Sequence, residues 1–514
     1  VTRSDQPFPP IPEAGAWRIH PDVSSGLLVD AHDYYVAFYE AAQRARRSVL
    51  LLGWQFDSDV ELVRGEDLPP GANGRDFRLL RTLDRLCRER PDLEVRILAW
   101  DHSVVFALER EILQKVVFDV VTCDRFHFKY DATVPSPGSH HQKVAIVDGR
   151  VAFTGSADLC QSRWDASTHL AHDPRRSARG ELYAPYHEVQ MLLPGAPAES
   201  LVELFVERWA HATGEALDAE ALIDRRAGGL DPRHVPTTLR MPRTKVALSR
   251  TVPVGGGPEP SREIRDLYVS AIREAERLVY IETQYLTSAA VRDALVARLR
   301  DATRPALDVI IVLPRRPSSL KEELTIGPAQ AEVIDALRAV AREAGQGLGV
   351  YNVAAAESSE RSEADEDDVF VYIHSKLMIV DDRFFTVGSA NLTNRSMTID
   401  SEVNVSLFAD DGDGEVRGAI ERARKRLMSE HLGELVEQHL LGSPEGLVAR
   451  IDRAIARGLV KFRHHGTTGE PPSALAKVVK ELAGDYLDPE DASRRQVATI
   501  ERRRSSADEP SSTS

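Results

Sequence analysis

Residues 139–159 read SHHQKVAIVDGRVAFTGSADL and set His141 and Lys143 two apart at the head of an apolar run. Side chains two apart lie on one face of a strand, so an imidazole and an ammonium project together while His140 points the other way. An imidazole can attack or carry a proton, and an ammonium supplies a fixed positive charge. Residues 373–392, IHSKLMIVDDRFFTVGSANL, repeat the device: His374, Lys376 and Asp381 reproduce the spacing of His141, Lys143 and Asp148. Gly155-Ser156 and Gly388-Ser389 each begin seven residues beyond the aspartate. One such strand end is compatible with a solvated histidine and lysine, but two matched copies call for a shared use.

Two imidazoles and two lysines suit a phosphodiester. If the copies pack strand end to strand end, one neutral histidine attacks phosphorus and forms a phosphohistidine. The other, protonated, delivers a proton to the leaving alcohol. Lys143 and Lys376 hold the nonbridging oxygens. Water or another alcohol then takes the phosphoryl group with the roles exchanged. A metal at either histidine is disfavoured, because a lysine on the same face repels a divalent cation. A serine hydrolase is disfavoured by the lack of a G-x-S-x-G elbow. The expectation is therefore a site with no metal and no cofactor. Asp148 and Asp381, at the far end of each strand from its histidine, read as residues that hold the turn and its hydrogen bonds.

The elements that must carry these residues form an internal duplication. HDYYVAFYEAAQRARRSVLLLGWQFDSD resembles IRDLYVSAIREAERLVYIETQYLTSA, each an amphipathic helix followed by an apolar strand. LEVRILAWD and LDVIIVLPRR follow as strands, then the two His-Lys strands, then HEVQMLLPG and SEVNVSLFAD, each leading into a helix near 198–211 and 414–431. Strands alternating with helices give an α/β fold, twice. The expected architecture is two pseudo-twofold α/β halves with mixed sheets flanked by helices, sharing one active site at their interface. Linker composition puts the halves at 1–238 and 239–440. Residues 441–514 form a helical extension with helices near 445–458 and 472–484 and a disordered tail. The segment ESSERSEADEDD (357–368) reads as an acidic surface loop.

At 514 residues, 42% of them hydrophobic, the chain has room for two or three domains. The net charge of −15 weighs against nucleic acid as a partner and against tight adsorption to anionic membranes. No apolar run reaches membrane-spanning length and no signal-peptide pattern opens the sequence, so the expected location is cytoplasmic or peripheral to a membrane. Cys87, Cys123 and Cys160 read as ordinary buried thiols.

HQKVAIVD and HSKLMIVD resemble the paired H-x-K-x-x-x-x-D motifs of the phospholipase D superfamily, over about residues 25 to 435. HHQK, ADLCQSRWD and YIETQYL are similar to stretches of its phospholipid-cleaving members. The resemblance implies metal-independent phosphatidyl transfer through a covalent histidine, with His141 as nucleophile and His374 as acid. It implies that Lys143, Lys376, Ser156, Ser389 and Asn391 line the phosphate. Asp158 stands in the first copy where Asn391 stands in the second, so the pocket is expected to be asymmetric, with Asp158 structural. Glu188 and Glu402 each head the strand after the Gly-Ser segment, as acidic residues do in the resembling family, and are the candidates for orienting the histidines. A carboxylate on the second ring nitrogen fixes the tautomer and favours the imidazolium. Trp164, Tyr280 and Tyr285 read either as liners of a lipid mouth or as core aromatics.

The reading is a phospholipase D-type phosphodiesterase with transphosphatidylation ability. Its expected partners are a phospholipid at a membrane surface and a water or alcohol acceptor, with no oligomer required. The alternatives are a cardiolipin synthase-like phosphatidyltransferase, a nuclease of the same superfamily, and a non-catalytic membrane or partner-binding module.

Overall fold

The computed structural model describes residues 15–101, 118, 122–257, 259–317, 322–323, 326–356, 369–410, 412–433, 438–466 and 488. The acidic segment 357–368, the helix expected near 472–484 and the tail lie outside the described residues.

The first half contributes β1 (Arg18–Val29), α1 (Asp30–Ala42), β2 (Ser48–Gly53), α2 (Leu79–Glu89), β3 (Glu94–Trp100), β4 (Phe126–Asp131), β5 (Val144–Val147), β6 (Val151–Gly155), the two-residue β7 (Tyr186–His187), β8 (Val189–Pro194) and α3 (Ala196–Thr213). The second contributes β9 (Leu239–Val252), α4 (Glu263–Glu274), β10 (Leu278–Glu282), α5 (Ala289–Arg300), β11 (Asp308–Val312), α6 (Gly327–Ala344), β12 (Gly347–Val353), the two-residue β13 (Tyr372–Ile373), β14 (Leu377–Val380), β15 (Phe384–Gly388), α7 (Asn394–Thr398), β16 (Glu402–Phe408) and α8 (Gly414–Leu432). Then α9 (Leu447–Ala456) and β17 (Phe462–His464) follow, the strand pairing with the outer edge of β12.

One mixed sheet runs through the molecule in the order β17-β12-β11-β10-β14-β15-β16-β9-β1-β8-β6-β5-β2-β3-β4. Outward from the antiparallel β1–β9 pair, the two sides repeat the same sequence of elements, which is the pseudo-twofold relation in structural form. Both sheet faces are covered, so the central strands are apolar on both sides, as in VAIV of β5 and LMIV of β14. On one face a single core joins Phe205 and Trp209 of α3, Leu427 and Met428 of α8, and strand residues of both halves. On the other face each half has its own core, under α1 and α2 or under α4, α5 and α6.

The two His-Lys strands run antiparallel to their neighbours β2 and β10, which are parallel to β3 and β11. The heads of β5 and β14 therefore lie at the carboxyl ends of the parallel strands, where α/β folds place ligands. At the other end each strand turns through two residues of positive φ, Asp148-Gly149 at 56° and 62° and Asp381-Asp382 at 54° and 55°. Such a turn matches the twist of the hairpin, and glycine is the residue that takes it without strain. Asp382 takes it in the second copy while its carboxylate receives two hydrogen bonds from the buried Arg424 guanidinium, at 2.7 and 2.9 Å.

The motif aspartates reach beyond their own turns. Asp148 accepts the N–H groups of Arg46, Arg47 and Ser48 at 2.9, 2.7 and 3.0 Å, and Asp381 those of Glu276, Arg277 and Leu278 at 2.7, 2.8 and 2.8 Å. Each carboxylate thus pins the entrance of the neighbouring parallel strand and fixes the register of the His-Lys strand against it. Asp148→Ala strands three backbone donors in a buried turn, and denaturant unfolding should show a loss of about 3 kcal/mol.

Candidate active site

The sheet brings the heads of β5 and β14 to one place, and short cross-half pairings hold them there. β7 pairs in parallel with β13, and the His374 and Ser375 N–H groups donate to the His187 carbonyl at 2.9 and 3.2 Å. In the other direction, the His141 N–H donates to the Ser401 carbonyl at 2.9 Å and the Ser401 N–H to the Ser139 carbonyl at 2.8 Å. Asp400, which accepts from Ser139 N–H at 2.8 Å and from Arg395 at 2.8 Å, ties down the same crossing.

These crossings exchange the glutamates between the halves. His141 donates through Nδ1 to both carboxylate oxygens of Glu402, at 3.1 Å each. His374 donates through Nδ1 to Glu188 at 2.8 Å. Each ring is thus oriented by a carboxylate of the opposite half, and its Nε2 is the atom left to meet a substrate. Both glutamates are fully buried, whereas the side chain of His141 is 15% exposed and that of His374 4%.

The lysines differ. Lys143 lies 3.1 Å from Asp158 Oδ2 and donates to the His141 carbonyl at 3.2 Å. Lys376 donates to Gln284 Oε1 at 3.3 Å and to the His374 carbonyl. Asn391 reaches the same Gln284 oxygen at 3.4 Å. The two lysines thus differ in partner: Lys143 faces the Asp158 carboxylate, and Lys376 faces the Gln284 amide oxygen to which Asn391 also donates. Asp158 is the ion partner of Lys143 and also accepts the Trp54 N–H at 3.0 Å, contacts that hold Lys143 and the end of β2 in place.

Burial holds the Lys376 ammonium well below the usual lysine range, with Lys143 and Arg163 adding to the effect and Glu188 and Glu402 opposing it. Burial likewise lowers His374 well below an ordinary histidine, helped by Lys376, Arg163, Lys143 and His141. That Lys143 and His141 act on His374 places the two copies in one electrostatic site. Burial raises Glu188. Burial also opposes ionisation of Glu402, but His141, Ser389 and Ser396 outweigh it and hold its carboxyl below the usual range.

Several expectations shift. Ser156 and Ser389 are fully buried and bond the glutamate strands, not an open pocket. Ser389 donates to Glu402 and accepts the Val403 N–H at 3.0 Å, and Ser156 exchanges hydrogen bonds with the Val189 backbone at 3.0 and 3.2 Å. A hydroxyl is small enough to fit beneath a buried carboxylate. Trp164 and Tyr280 are core aromatics, with Trp164 packed against the guanidinium groups of Arg64 and Arg175. Tyr285 is buried as well, accepting from Gln284 at 2.7 Å.

Sequence reasoning missed three contributors. Gln284 links Lys376, Asn391, Tyr285 and Tyr372. Arg163 is a half-buried cation whose charge acts on Glu188 and Asp158, 4.8 Å above the Tyr186 ring. Gln284 falls at the same place in its half as Gln55 in the first, a repeat that could have singled it out, whereas Arg163 of ADLCQSRWD carried no such signal.

The third contributor is a buried network behind His374. His187 lies 2.9 Å from Asp30, 3.0 Å from Glu430 and 2.9 Å from Glu282. His169 lies 2.9 Å from Asp165 and 3.1 Å from Glu430, and His431 lies 3.0 Å from Glu282. Burial and Glu430 push Asp30 up to about 7. Burial opposes charge on His169, but Asp30, Asp165 and Glu430 outweigh it and hold the ring up at about 10. Donor atoms of Asp30, His169, His187 and Glu430 lie within 4.8 Å of one another, as do those of His187, Glu282 and His431. Two imidazoles and two carboxylates are the donor chemistry of a divalent cation. The expectation of no metal rested on the His-Lys strands alone and did not consider these residues.

Two family descriptions match the chain: "Phospholipase D" over residues 41–293 and "Cardiolipin synthase, PLD-like domain" over 268–422. Phospholipase D alpha 1 of Carica papaya is 24% identical over an alignment covering 85% of this chain and 68% of that protein. Phospholipase D A of Dictyostelium discoideum is 26% identical, covering 80% of this chain and 36% of that protein. Among solved structures, the phosphatidylserine synthase of Haemophilus influenzae Rd KW20 shares the fold at 12% identity, with a TM-score of 0.50 over 85% of this chain and 95% of its own.

Two outcomes follow from the geometry. Ring-nitrogen NMR of His374 should show a neutral imidazole at pH 6.5, and in Glu188→Gln the midpoint should fall further. An unchanged midpoint would mean that the carboxylate does not govern this ring. Glu282→Gln removes an acceptor shared by His187, His431, Tyr280 and Ser375. Chemical denaturation should register a loss of about 3–5 kcal/mol.

Proposed function

The chain belongs to the phospholipase D superfamily of phosphodiesterases and phosphatidyltransferases, and from that premise we propose that it cleaves the head group of a glycerophospholipid through a covalent phosphohistidine and passes the phosphatidyl group to water or an alcohol. The observation that carries the proposal is the crossed pairing of His141 with Glu402 and His374 with Glu188.

With its Nδ1 proton held by Glu402, neutral His141 has its lone pair on Nε2, which attacks phosphorus. Lys143, Lys376 and Asn391 take the nonbridging oxygens. His374 gives its Nε2 proton to the departing head-group oxygen, and Glu188 stabilises the ring while it is charged. In the second half-reaction the incoming water or alcohol surrenders its proton to His374, attacks the phosphohistidine and releases His141. Burial, with Lys376, Arg163, Lys143 and His141 adding to it, keeps His374 neutral, and an anionic phosphate between the lysines offsets those cations so that the ring takes up a proton from solvent. Substrate docking thus arms the acid.

The favoured substrate is a zwitterionic phospholipid, phosphatidylcholine or phosphatidylethanolamine. A chain of net charge −15 disfavours polyanions, whereas a choline or ethanolamine head brings its own cation. Tyr186 and Tyr372 stack with ring centroids 5.1 Å apart beside His374, where the head group departs. Both histidines come from one chain, so the chemistry needs no second subunit. No described helix is long and apolar enough to cross a membrane, and the site would be reached from a lipid surface. The cardiolipin synthase description over 268–422 supports a second reading, transfer to a glycerol-bearing acceptor lipid, which differs only in the second alcohol.

The test is turnover of phosphatidylcholine vesicles with ethanol present. Free choline and phosphatidylethanol should both form, and faster cleavage of phosphatidylglycerol vesicles or single-stranded DNA would overturn the substrate class. His141→Ala and His374→Ala should each lower the rate by about 10⁴-fold or more while leaving the fold intact. Quenching of His374→Asn during turnover in alkaline detergent, where a phosphorus–nitrogen bond survives, should trap phosphatidyl-His141. An adduct on residue 374 of the His141→Asn variant alone would reverse the two roles.

A further inference from the structure

Two of the three cysteines meet at the outer edge of the first half. Cys87 lies near the end of α2 and is fully buried, and Cys123 precedes β4 and is half-buried. Their Sγ atoms are 2.8 Å apart, across 36 residues of sequence. That is inside the van der Waals contact of two sulfurs and short of the roughly 2.05 Å of a bond.

The surrounding backbone holds both residues in place. The Cys123 N–H donates to Asp84 of α2 at 2.9 Å, and the Cys123 carbonyl accepts the Phe126 N–H at 2.9 Å. Arg125 donates from Nε to the Leu93 carbonyl at 3.2 Å and from its guanidinium to the carbonyls of Cys87 and Arg90. The pair is therefore braced from both sides, so closing the last fraction of an ångström needs only side-chain movement. The third thiol, Cys160, is buried beneath the Tyr35 hydroxyl in another part of the half.

We propose that Cys87 and Cys123 are a modification site, forming an intramolecular disulfide that clamps α2 to the entrance of β4. The oxidant is a small disulfide of the glutathione class. The more accessible Cys123, as thiolate, attacks one glutathione sulfur and expels a first glutathione thiol. Cys87 then loses its proton and attacks the Cys123 sulfur, expelling the second. Two electrons pass from the cysteine pair to the glutathione disulfide, and the two cysteine protons end on two glutathione thiols. Burial, and then Cys123 itself, push the Cys87 thiol up to about 12, which fits Cys87 as the second sulfur to react. The clamp bears on the active site through β4, whose last residue, Asp131, accepts from Arg208 at 2.7 Å and lies 3.0 Å from His140, the neighbour of His141.

The full chain is incubated with oxidised glutathione, quenched in acid, denatured and alkylated with iodoacetamide before intact-mass and peptide analysis. One alkylated cysteine, Cys160, and a linked peptide pair containing Cys87 and Cys123 are expected, against three alkylated cysteines after dithiothreitol. Oxidised protein should melt roughly 3 °C or more above reduced protein, and Cys123→Ser should show no such difference. Three alkylated cysteines in the oxidised sample, a glutathione adduct on Cys123 with Cys87 free, or a cross-link that leaves the melting temperature unchanged would each overturn the proposal.

Discussion

Each imidazole of the two His-Lys strands is paired with a carboxylate from the other half of the chain. His141 without Glu402, or His374 without Glu188, is a ring with no fixed tautomer. Both glutamates are fully buried, and an ionised carboxylate out of water is tolerable only beside a partner. The rest of the architecture serves that requirement. The continuous sheet aligns the halves through β1 and β9, the β7–β13 pairing delivers His374 to Glu188, and the Ser139–Ser401 crossing delivers His141 to Glu402. Neither half contains a finished site, which gives the duplication a chemical purpose.

The layers behind the pocket are as charged as the pocket itself. Asp30, Glu282 and Glu430 converge on His169, His187 and His431 with both sheet halves contributing, and the His187 carbonyl also receives the His374 N–H. Low dielectric strengthens each of these pairings and equally penalises the loss of any member. The network therefore gives the active-site wall little freedom to relax. Short polar residues complete it: Ser156 and Ser389 brace the glutamate strands, and Ser375 braces Glu282.

The two copies have diverged in charge where they remain alike in shape. Lys143 meets Asp158, and Lys376 meets Gln284. His141 stays partly open, and His374 is sealed among cations. The two-step transfer proposed above would need its two histidines in different protonation states at each stage, which symmetry of backbone with asymmetry of environment would provide.

The sequence by itself determined the repeated order of helices and strands, the His-Lys pairs, and the acidic residues after each Gly-Ser segment. Those features are local: a period of two in strands, a period near 3.6 in helices and a fixed spacing within one hairpin survive in one dimension. It also carried the anchoring aspartates, although it showed them holding a turn and not the entrances of β2 and β10 at Arg46–Ser48 and Glu276–Leu278. Only the tertiary structure decided which glutamate serves which histidine, that the serines lie under carboxylates, that Trp164 and Tyr280 are core, and that Cys87 lies against Cys123. It alone assembled the Asp30–His169–His187–Glu282–Glu430–His431 network from segments up to 401 residues apart. The reason is physical: a buried charge is stabilised by whatever the packed chain brings within about 3 Å, and that distance has no counterpart in sequence separation.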